Sequence, residues 1–148
     1  MLILSVISLF AFGTYAWAFW FLQFNISSAM IGAVFHIAAG SLFITAVSQT
    51  RRQRLSLAYD TDKPKFIVTS GPYRFVRHPF YLSYIIFWIG CTISTQSIIM
   101  LSVTTAISIL YIIAARKEEA KFAASAMSSA YQLYRESAGL LWPKIGKQ

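Results

Sequence analysis

The sequence predicts an all-α integral membrane protein with about four transmembrane helices in two hairpins and a cytoplasmic helical tail. Its 148 residues are 57% hydrophobic and only 12% charged. A soluble domain carries about 25% charged residues, so a bilayer is the solvent that suits this apolar excess. All 13 lysines and arginines fall within 51–77 and 116–147, as do the five acidic residues. Such clustering is typical of membrane spans joined by basic cytoplasmic segments.

Four apolar runs define the predicted spans, at about residues 2–24, 30–47, 80–94 and 97–115. A span of the hydrocarbon core needs about 20 residues, so the third run is short. A signal peptide is a weaker interpretation of the first run, because no basic residue precedes it and a second run follows almost at once. Residues 48–79 are then a cytoplasmic loop and residues 116–148 a cytoplasmic tail. We expect one domain over 1–148 in an inner or plasma membrane, with both termini on the cytoplasmic side.

The charge and cysteine content argue against other classes of protein. The net charge of +8 follows the predicted loops and does not indicate nucleic acid. Cys91 is the only cysteine, so no internal disulfide is expected, and no Cys/His cluster has the spacing of zinc ligands. Asp60 and Asp62 are expected to be solvated loop charges. We therefore expect neither nucleic acid nor a metal ion as a partner.

The stretch that leads into the third span carries the most informative pattern of the chain. Gly71-Pro72 predicts a turn. Pro79 suits the first position of a helix, so the third span is expected to begin there. The free backbone N–H groups of that helix start would favour an anion such as a carboxylate or a phosphate.

Polar and charged side chains gather around this helix start. His78 and Tyr81 are three residues apart and would lie on one side of the helix. Arg74 and Arg77 add two cations just upstream. These residues form either a ligand pocket or a set of anchors at the membrane interface, and the physical pattern leaves both interpretations open.

The run Arg77-His78-Pro79-Phe80-Tyr81, here called the signature segment, resembles the Arg-His-Pro-x-Tyr signature of the isoprenylcysteine carboxyl methyltransferase family. That family belongs to a wider group that includes membrane phospholipid N-methyltransferases. The isoprenylcysteine carboxyl methyltransferase family also has a C-terminal pattern of paired glutamates, spaced tyrosines and a proline. The sequence beyond the fourth span resembles this pattern, with Glu118-Glu119 (the acidic pair), Tyr131, Tyr134 and Pro143.

The resemblance implies an integral membrane methyltransferase that uses S-adenosylmethionine. Its substrate would be lipophilic or delivered by the lipid bilayer, such as an isoprenylcysteine carboxylate or a phospholipid amine. The implied cofactor-binding residues are Tyr73, His78, Pro79, Tyr81, Glu118, Glu119 and Tyr131. The catalytic candidates are Arg77, Glu119 and Arg135, of which the two arginines would hold a substrate or cofactor carboxylate.

Two rival functions stay open beside this one. The first is an NADPH-dependent membrane reductase of the sterol-reductase-like group, and the second is a non-enzymatic accessory membrane protein. The acceptor is also open. A carboxylate is already ionised and needs no base, whereas an amine or a phenol needs one, for which His78 or a tail glutamate would serve.

The two halves of the C-terminal pattern cannot both reach one cofactor along a straight helix, because Glu119 and Tyr131 would be about 18 Å apart. Ser128-Ser129 is a poor helix interior. We therefore expect a break there that lets Tyr131 and Tyr134 fold back. Residues 125–129 also stand where the family usually carries a Phe-Gly pair.

His36 is an ionisable residue inside the second span, with Gly32 and Gly40 on the same helix face. Such a residue is either part of a substrate path or a hydrogen-bonding group at a close helix contact. It would lie about 18 Å from the cytoplasmic end of its helix, which favours the packing role.

Overall fold

The computed structural model describes residues 2–21, 25–55 and 67–144, and the regular structure in this part of the chain is helical. The helices are α1 (Leu2–Phe21), α2 (Ile26–Leu55), α3 (Pro79–Thr95), α4 (Ile98–Ala123) and α5 (Ser128–Ser137). A 3-10 helix over Gly71–Arg74 precedes α3. The all-α prediction is confirmed for the described residues.

Local sequence explains where the helices begin and end. The Asn25 side chain accepts hydrogen bonds from the backbone N–H groups of Ser27 and Ser28, at 3.0 and 3.2 Å, and so caps the start of α2. The third apolar helix begins at Pro79, as predicted. A tight turn at Gln96, whose φ is 48°, separates α3 from α4 and agrees with the brief connector expected there.

The helices α2 and α4 extend furthest beyond the predicted spans. α2 continues to Leu55 and α4 to Ala123, beyond the apolar runs at 30–47 and 97–115. Arginine, lysine and glutamate are good helix formers, so the charged sequence that follows each apolar run extends the helix. Residues 22–24 of the first predicted span and the loop acids at 60 and 62 lie outside the described residues.

The apolar helices present their side chains outward. The stretches Ile26–Arg51 and Ile98–Ala123 are long and apolar enough to cross a bilayer, whereas the apolar helices Val6–Phe21 and Pro79–Thr95 are shorter. Only 17% and 28% of the most apolar windows of the two longer stretches are buried, unlike the core helix of a soluble protein. An exposed apolar surface of this extent suits lipid. Four spans stay a prediction.

The chain divides into two compact units, each built from segments that are distant in sequence. Unit 1 comprises Met1–Gly40 with Ser83–Ile113. Unit 2 comprises Ser41–Leu82 with Ala114–Gln148. The single domain over 1–148 stays a prediction.

A close helix approach in unit 1 depends on glycine. A Cβ built at Gly32 would lie 2.0 Å from Ser94 Oγ and 2.7 Å from the carbonyl oxygen of Gly90. Since the second of these atoms belongs to the backbone, a side chain at Gly32 requires α2 and α3 to separate. A Cβ at Gly40 would meet nothing within 4 Å, so the close approach does not extend to that glycine.

Polar side chains join the helices of unit 1. His36 Nε2 lies 3.5 Å from Cys91 Sγ, and the His36 ring centroid lies 4.9 Å from that of Phe87. The hydroxyl groups of Thr92 and Thr104 form a hydrogen bond of 2.8 Å between α3 and α4. Such hydrogen bonds are typical of helix contacts within a bilayer, and they agree with the packing role expected of His36.

We predict that Gly32→Ala destabilises the protein while Gly40→Ala does not. The alanine methyl group at position 32 forces two backbones apart, and overpacking of this kind costs about 1–3 kcal/mol. Thermal unfolding of the detergent-solubilised protein, followed by circular dichroism, should show a lower melting temperature for Gly32→Ala. Equal melting temperatures for the two variants would contradict the close contact at Gly32.

Candidate active site

The turn before the signature segment belongs to unit 2 and has a conformation that suits glycine. Gly71 has a φ of +60°, and a Cβ there would lie 2.7 Å from Gln49 Cγ on α2. Ser70 Oγ donates a hydrogen bond of 2.9 Å to Gln49 Oε1. Pro72 follows within the 3-10 helix, which carries Tyr73 into a buried position. The predicted Gly-Pro turn is confirmed.

The tail of unit 2 folds back, as predicted, but the break lies earlier than expected. α4 ends at Ala123 and α5 begins at Ser128, so Ser128-Ser129 starts a helix instead of interrupting one. Ser125 Oγ accepts a hydrogen bond from the backbone N–H of Met127 within the connecting turn, at 3.2 Å. Serine favours such local bonds, which compete with a continuous helix.

An aromatic stack closes this fold-back. The rings of Phe122 on α4 and Tyr131 on α5 are nearly parallel, with an interplanar angle of 9° and centroids 4.8 Å apart. Tyr131, Tyr134 and Ala138 form a buried cluster against which Phe122 and Ile67 pack. The stack returns Tyr131 to the neighbourhood of Glu119, as the predicted fold-back requires.

The backbone after α5 pairs with the backbone that enters the signature segment. Val76 and Gly139 form a parallel bridge. The N–H groups of Arg77 and His78 donate to the carbonyl oxygens of Gly139 and Leu140 at 2.8 and 3.3 Å, and the Gly139 N–H donates to the carbonyl of Phe75 at 3.0 Å. The tail is thereby held beside the start of α3.

Arg77 joins three parts of unit 2. Its Nε donates to Glu119 Oε1 at 2.6 Å. Its Nη1 donates to the backbone carbonyls of Arg135, at 3.3 Å, and Ala138. The side chain is only 8% exposed, so these protein groups replace water around the guanidinium. A guanidinium presents its donors in a fixed fork that suits several acceptors at once.

His78 lies between the two carboxylates of the acidic pair. Its Nδ1 is 3.5 Å from Glu118 Oε2 and its Nε2 is 3.4 Å from Glu119 Oε1. The ring is 9% exposed, and Nε2 is a buried atom with no well-aligned hydrogen bond among the described residues. Tyr81, one helical turn along α3, donates a hydrogen bond of 2.7 Å to Glu118 Oε1.

The surroundings favour the charged form of both carboxylates. The contact with His78 lowers the pKa of Glu118, although partial burial acts in the opposite direction. Burial would raise the pKa of Glu119, but the hydrogen bond and charge of Arg77 outweigh it, so that this pKa is also lowered. Arg135 Nε lies 3.8 Å from Glu119 Oε2 and adds a partly exposed cation.

The two tail tyrosines are buried and protonated. Burial and the charge of Glu119 raise the pKa of Tyr131 to about 12. Burial also raises the pKa of Tyr134. The Tyr134 hydroxyl donates a hydrogen bond of 2.7 Å to the backbone carbonyl of Tyr73. Tyr134 therefore holds α5 against the turn before the signature segment.

The structure brings most of the predicted site residues into one cluster of unit 2. Charged and polar groups in mutual contact are Arg77, His78, Tyr81, Glu118, Glu119 and Arg135. Tyr131 is buried beside this cluster, Pro79 is buried at the start of α3, and Tyr73 is linked to it through Tyr134. Their assignment as cofactor-binding or catalytic residues stays a prediction.

Sequence reasoning gave no role to Gly139. A Cβ there would clash with the backbone carbonyl oxygen of Trp142, so the turn that follows the bridge leaves no room for a side chain at this position. The available signal was a glycine two residues beyond the end of α5, where glycine commonly ends a helix.

We predict that Glu119→Gln lowers stability near neutral pH more than in acid. Because the folded pKa of Glu119 lies below its ordinary value of 4.5, its charged form stabilises the fold above that value, and this contribution is lost as the pH falls through the folded pKa. The melting temperature of the variant should therefore lie below that of the wild type near neutral pH, and the two should converge in acid. Thermal unfolding in detergent from about pH 8 to pH 3 measures this.

Glu136→Gln is the matched control, because Glu136 is exposed on α5. It should follow the wild type across the pH range. A constant difference between Glu119→Gln and the wild type at every pH would show that the charge of Glu119 does not stabilise the fold.

Comparison with known families identifies the chain. A family model described as phospholipid methyltransferase matches residues 2–131, well over half of the sequence. The match includes the signature segment and the acidic pair. No curated protein and no solved structure matches the chain. The suspected relationship is confirmed: the chain belongs to the phospholipid methyltransferase family.

Proposed function

We propose that the protein is a membrane-embedded, S-adenosylmethionine-dependent methyltransferase that acts on a lipophilic or membrane-delivered acceptor at the cytoplasmic face. The observation that carries this proposal is the meeting of His78 with Glu118 and Glu119 in one cluster. A family of phospholipid methyltransferases supplies the reaction class.

The membrane part of the proposal is a four-span arrangement of α1 to α4 with both termini in the cytoplasm. The apolar helices and their outward-facing side chains support it. The basic residues beyond the apolar part of α4, which include Arg116, Lys117 and Lys121, support a cytoplasmic position for the tail. On this arrangement the cofactor site lies at the inner interface, where an apolar acceptor is concentrated.

The residues of the cluster fit S-adenosylmethionine. His78 Nε2 is a buried polar atom without a well-aligned partner among the described residues, which is what a ligand-binding group looks like before its ligand is bound. Glu118 is 47% exposed, so its carboxylate is accessible at the edge of the cluster. Carboxylates accept hydrogen bonds from hydroxyl and ammonium groups, which the ribose and the amino-acid part of the cofactor provide.

Each residue then has a simple task. Glu118, oriented by Tyr81, would accept hydrogen bonds from the cofactor, while His78 would contact its amino-acid end. Arg135, whose side chain is 52% exposed, would bind a carboxylate of cofactor or substrate. When bound, S-adenosylmethionine supplies an already activated methyl group, so fixing the relative positions of the two reactants provides much of the catalysis.

The acceptor classes proposed are a phospholipid amine and an isoprenylcysteine-type carboxylate. The family description favours testing the amine first. An ammonium group must lose a proton before it attacks the methyl group. Both glutamates have lowered pKa values and are weak bases, so His78 is the proposed general base. A carboxylate acceptor requires no such step.

We predict that the detergent-solubilised protein binds S-adenosylhomocysteine and that Glu118→Gln weakens this binding. A charged hydrogen-bond acceptor is replaced by a neutral one, which should raise the dissociation constant about tenfold. Isothermal titration calorimetry measures the affinity. Glu136→Gln, which removes an exposed carboxylate of the same tail, is the control and should bind like the wild type.

The same titration separates the rival functions. Heat with NADPH and none with S-adenosylhomocysteine would replace the methyltransferase with a membrane reductase. The absence of heat with either ligand at millimolar concentration would indicate an accessory protein. Binding of S-adenosylhomocysteine that does not respond to Glu118→Gln would place the cofactor away from the acidic pair.

A further inference from the structure

We propose that Arg77 is a positioning residue, which locks the tail onto the signature segment and orients Glu119, and that it does not itself contact the substrate. This inference rests on the proposed function for its effect on ligand binding. The lock itself is a property of the fold and can be measured without any ligand. It revises the catalytic role that the sequence suggests for Arg77.

The donors of the Arg77 side chain are turned toward the protein. Nε is engaged by Glu119 Oε1, and Nη1 is shared between the carbonyls of Arg135 and Ala138. The side chain is 8% exposed. A substrate carboxylate would have to displace these partners, and displacement would leave the Glu119 carboxylate, 11% exposed, without its shortest ion pair.

The backbone carbonyls that Arg77 reaches lie at the C-terminal end of α5. The last carbonyls of a helix have no partners within the helix and carry partial negative charge. Arg135 and Ala138 lie in the last turn of α5 and at its C-cap. A cation at this end stabilises the helix, and the fork of a guanidinium reaches these carbonyls and a carboxylate together.

Backbone pairing between the signature segment and the tail surrounds the contacts of the Arg77 side chain. The Arg77 N–H donates to the carbonyl of Gly139 at 2.8 Å, so the main chain and side chain of one residue hold the same stretch of tail. The same pairing fixes His78 through Leu140 at 3.3 Å. The Arg77 side chain therefore orients Glu119, while the backbone pairing of Arg77 and His78 holds the signature segment beside the same stretch of tail.

A matched comparison residue exists in the tail. Lys144 Nζ donates to the carbonyls of Arg135 and Glu136, at 2.8 and 3.3 Å, so Lys144 also caps the end of α5. The structure gives it no contact with the acidic pair among the described residues, and its side chain is exposed. Lys144→Gln thus removes a capping cation without touching the carboxylate that Arg77 orients.

The test compares Arg77→Lys with Lys144→Gln by hydrogen exchange of the full-length protein in detergent, read by mass spectrometry. Lysine keeps the charge but is a point donor that cannot satisfy one carboxylate and two carbonyls at once. We expect peptides over 75–78 and 138–140 to exchange about tenfold faster in Arg77→Lys, and near the wild-type rate in Lys144→Gln.

Ligand binding provides the second measurement. In Arg77→Lys the affinity for S-adenosylhomocysteine should fall about tenfold, and the KM for the methyl acceptor should stay at the wild-type value. A weaker affinity for S-adenosylhomocysteine with an unchanged acceptor KM distinguishes a residue that positions the cofactor site from one that contacts the substrate. Lys144→Gln should change neither quantity.

Two results would overturn the proposal. The first is unchanged exchange over both peptides in Arg77→Lys. The second is a rise in the acceptor KM with unchanged affinity for S-adenosylhomocysteine, which would make Arg77 a substrate contact. If Arg77→Lys does not fold, Glu119→Gln breaks the same ion pair, and unchanged exchange there would reject the orienting role.

The two proposals fail separately. A wild-type protein that binds no S-adenosylhomocysteine would remove the proposed function, while the exchange comparison would still decide whether Arg77 locks the tail. Binding by the wild type together with unchanged exchange in Arg77→Lys would leave the function and remove the lock.

Discussion

A carboxylate that leaves water must find its partners inside the protein, and Glu119 imposes that constraint on unit 2. Its side chain is 11% exposed and pairs with Arg77 at 2.6 Å. An unpaired ion at such a position costs several kcal/mol of folding free energy. The ion pair avoids this cost only if the guanidinium is held close to the carboxylate. The backbone at the end of α5 provides that hold. The same side chain, Arg77, therefore both holds the tail in position and compensates the charge of Glu119.

This constraint separates two neighbouring residues of the same type. Glu119 is turned inward and pairs with Arg77 and Arg135. Glu118 is 47% exposed, and its carboxylate oxygens contact Tyr81 and His78. Consecutive residues of a helix point about 100° apart, so one glutamate of the pair can be buried while its neighbour is exposed. The inner residue is held by its ion pair with Arg77, and the outer one lies at the exposed edge of the cluster.

The sequence was most informative where one residue determines local geometry. Pro79 marked the start of α3, and Gly71-Pro72 marked the turn before it. It was less informative where the outcome depends on a distant partner. Gly32 and Gly40 share a helix face, yet only Gly32 faces a neighbouring backbone, and helical periodicity does not reveal what lies opposite. The bridge between Val76 and Gly139 was not predicted for the same reason, because the pairing of two short irregular segments leaves no periodic pattern in the sequence.

The bridge between Val76 and Gly139 also has a consequence for biogenesis. Its two segments are separated by the whole of α3, α4 and α5, so all three helices must be synthesised before the pairing can form. Closing so long a loop is slow compared with forming a helix. The nascent protein therefore passes through a stage in which these helices have been synthesised while the tail is not yet held beside the signature segment.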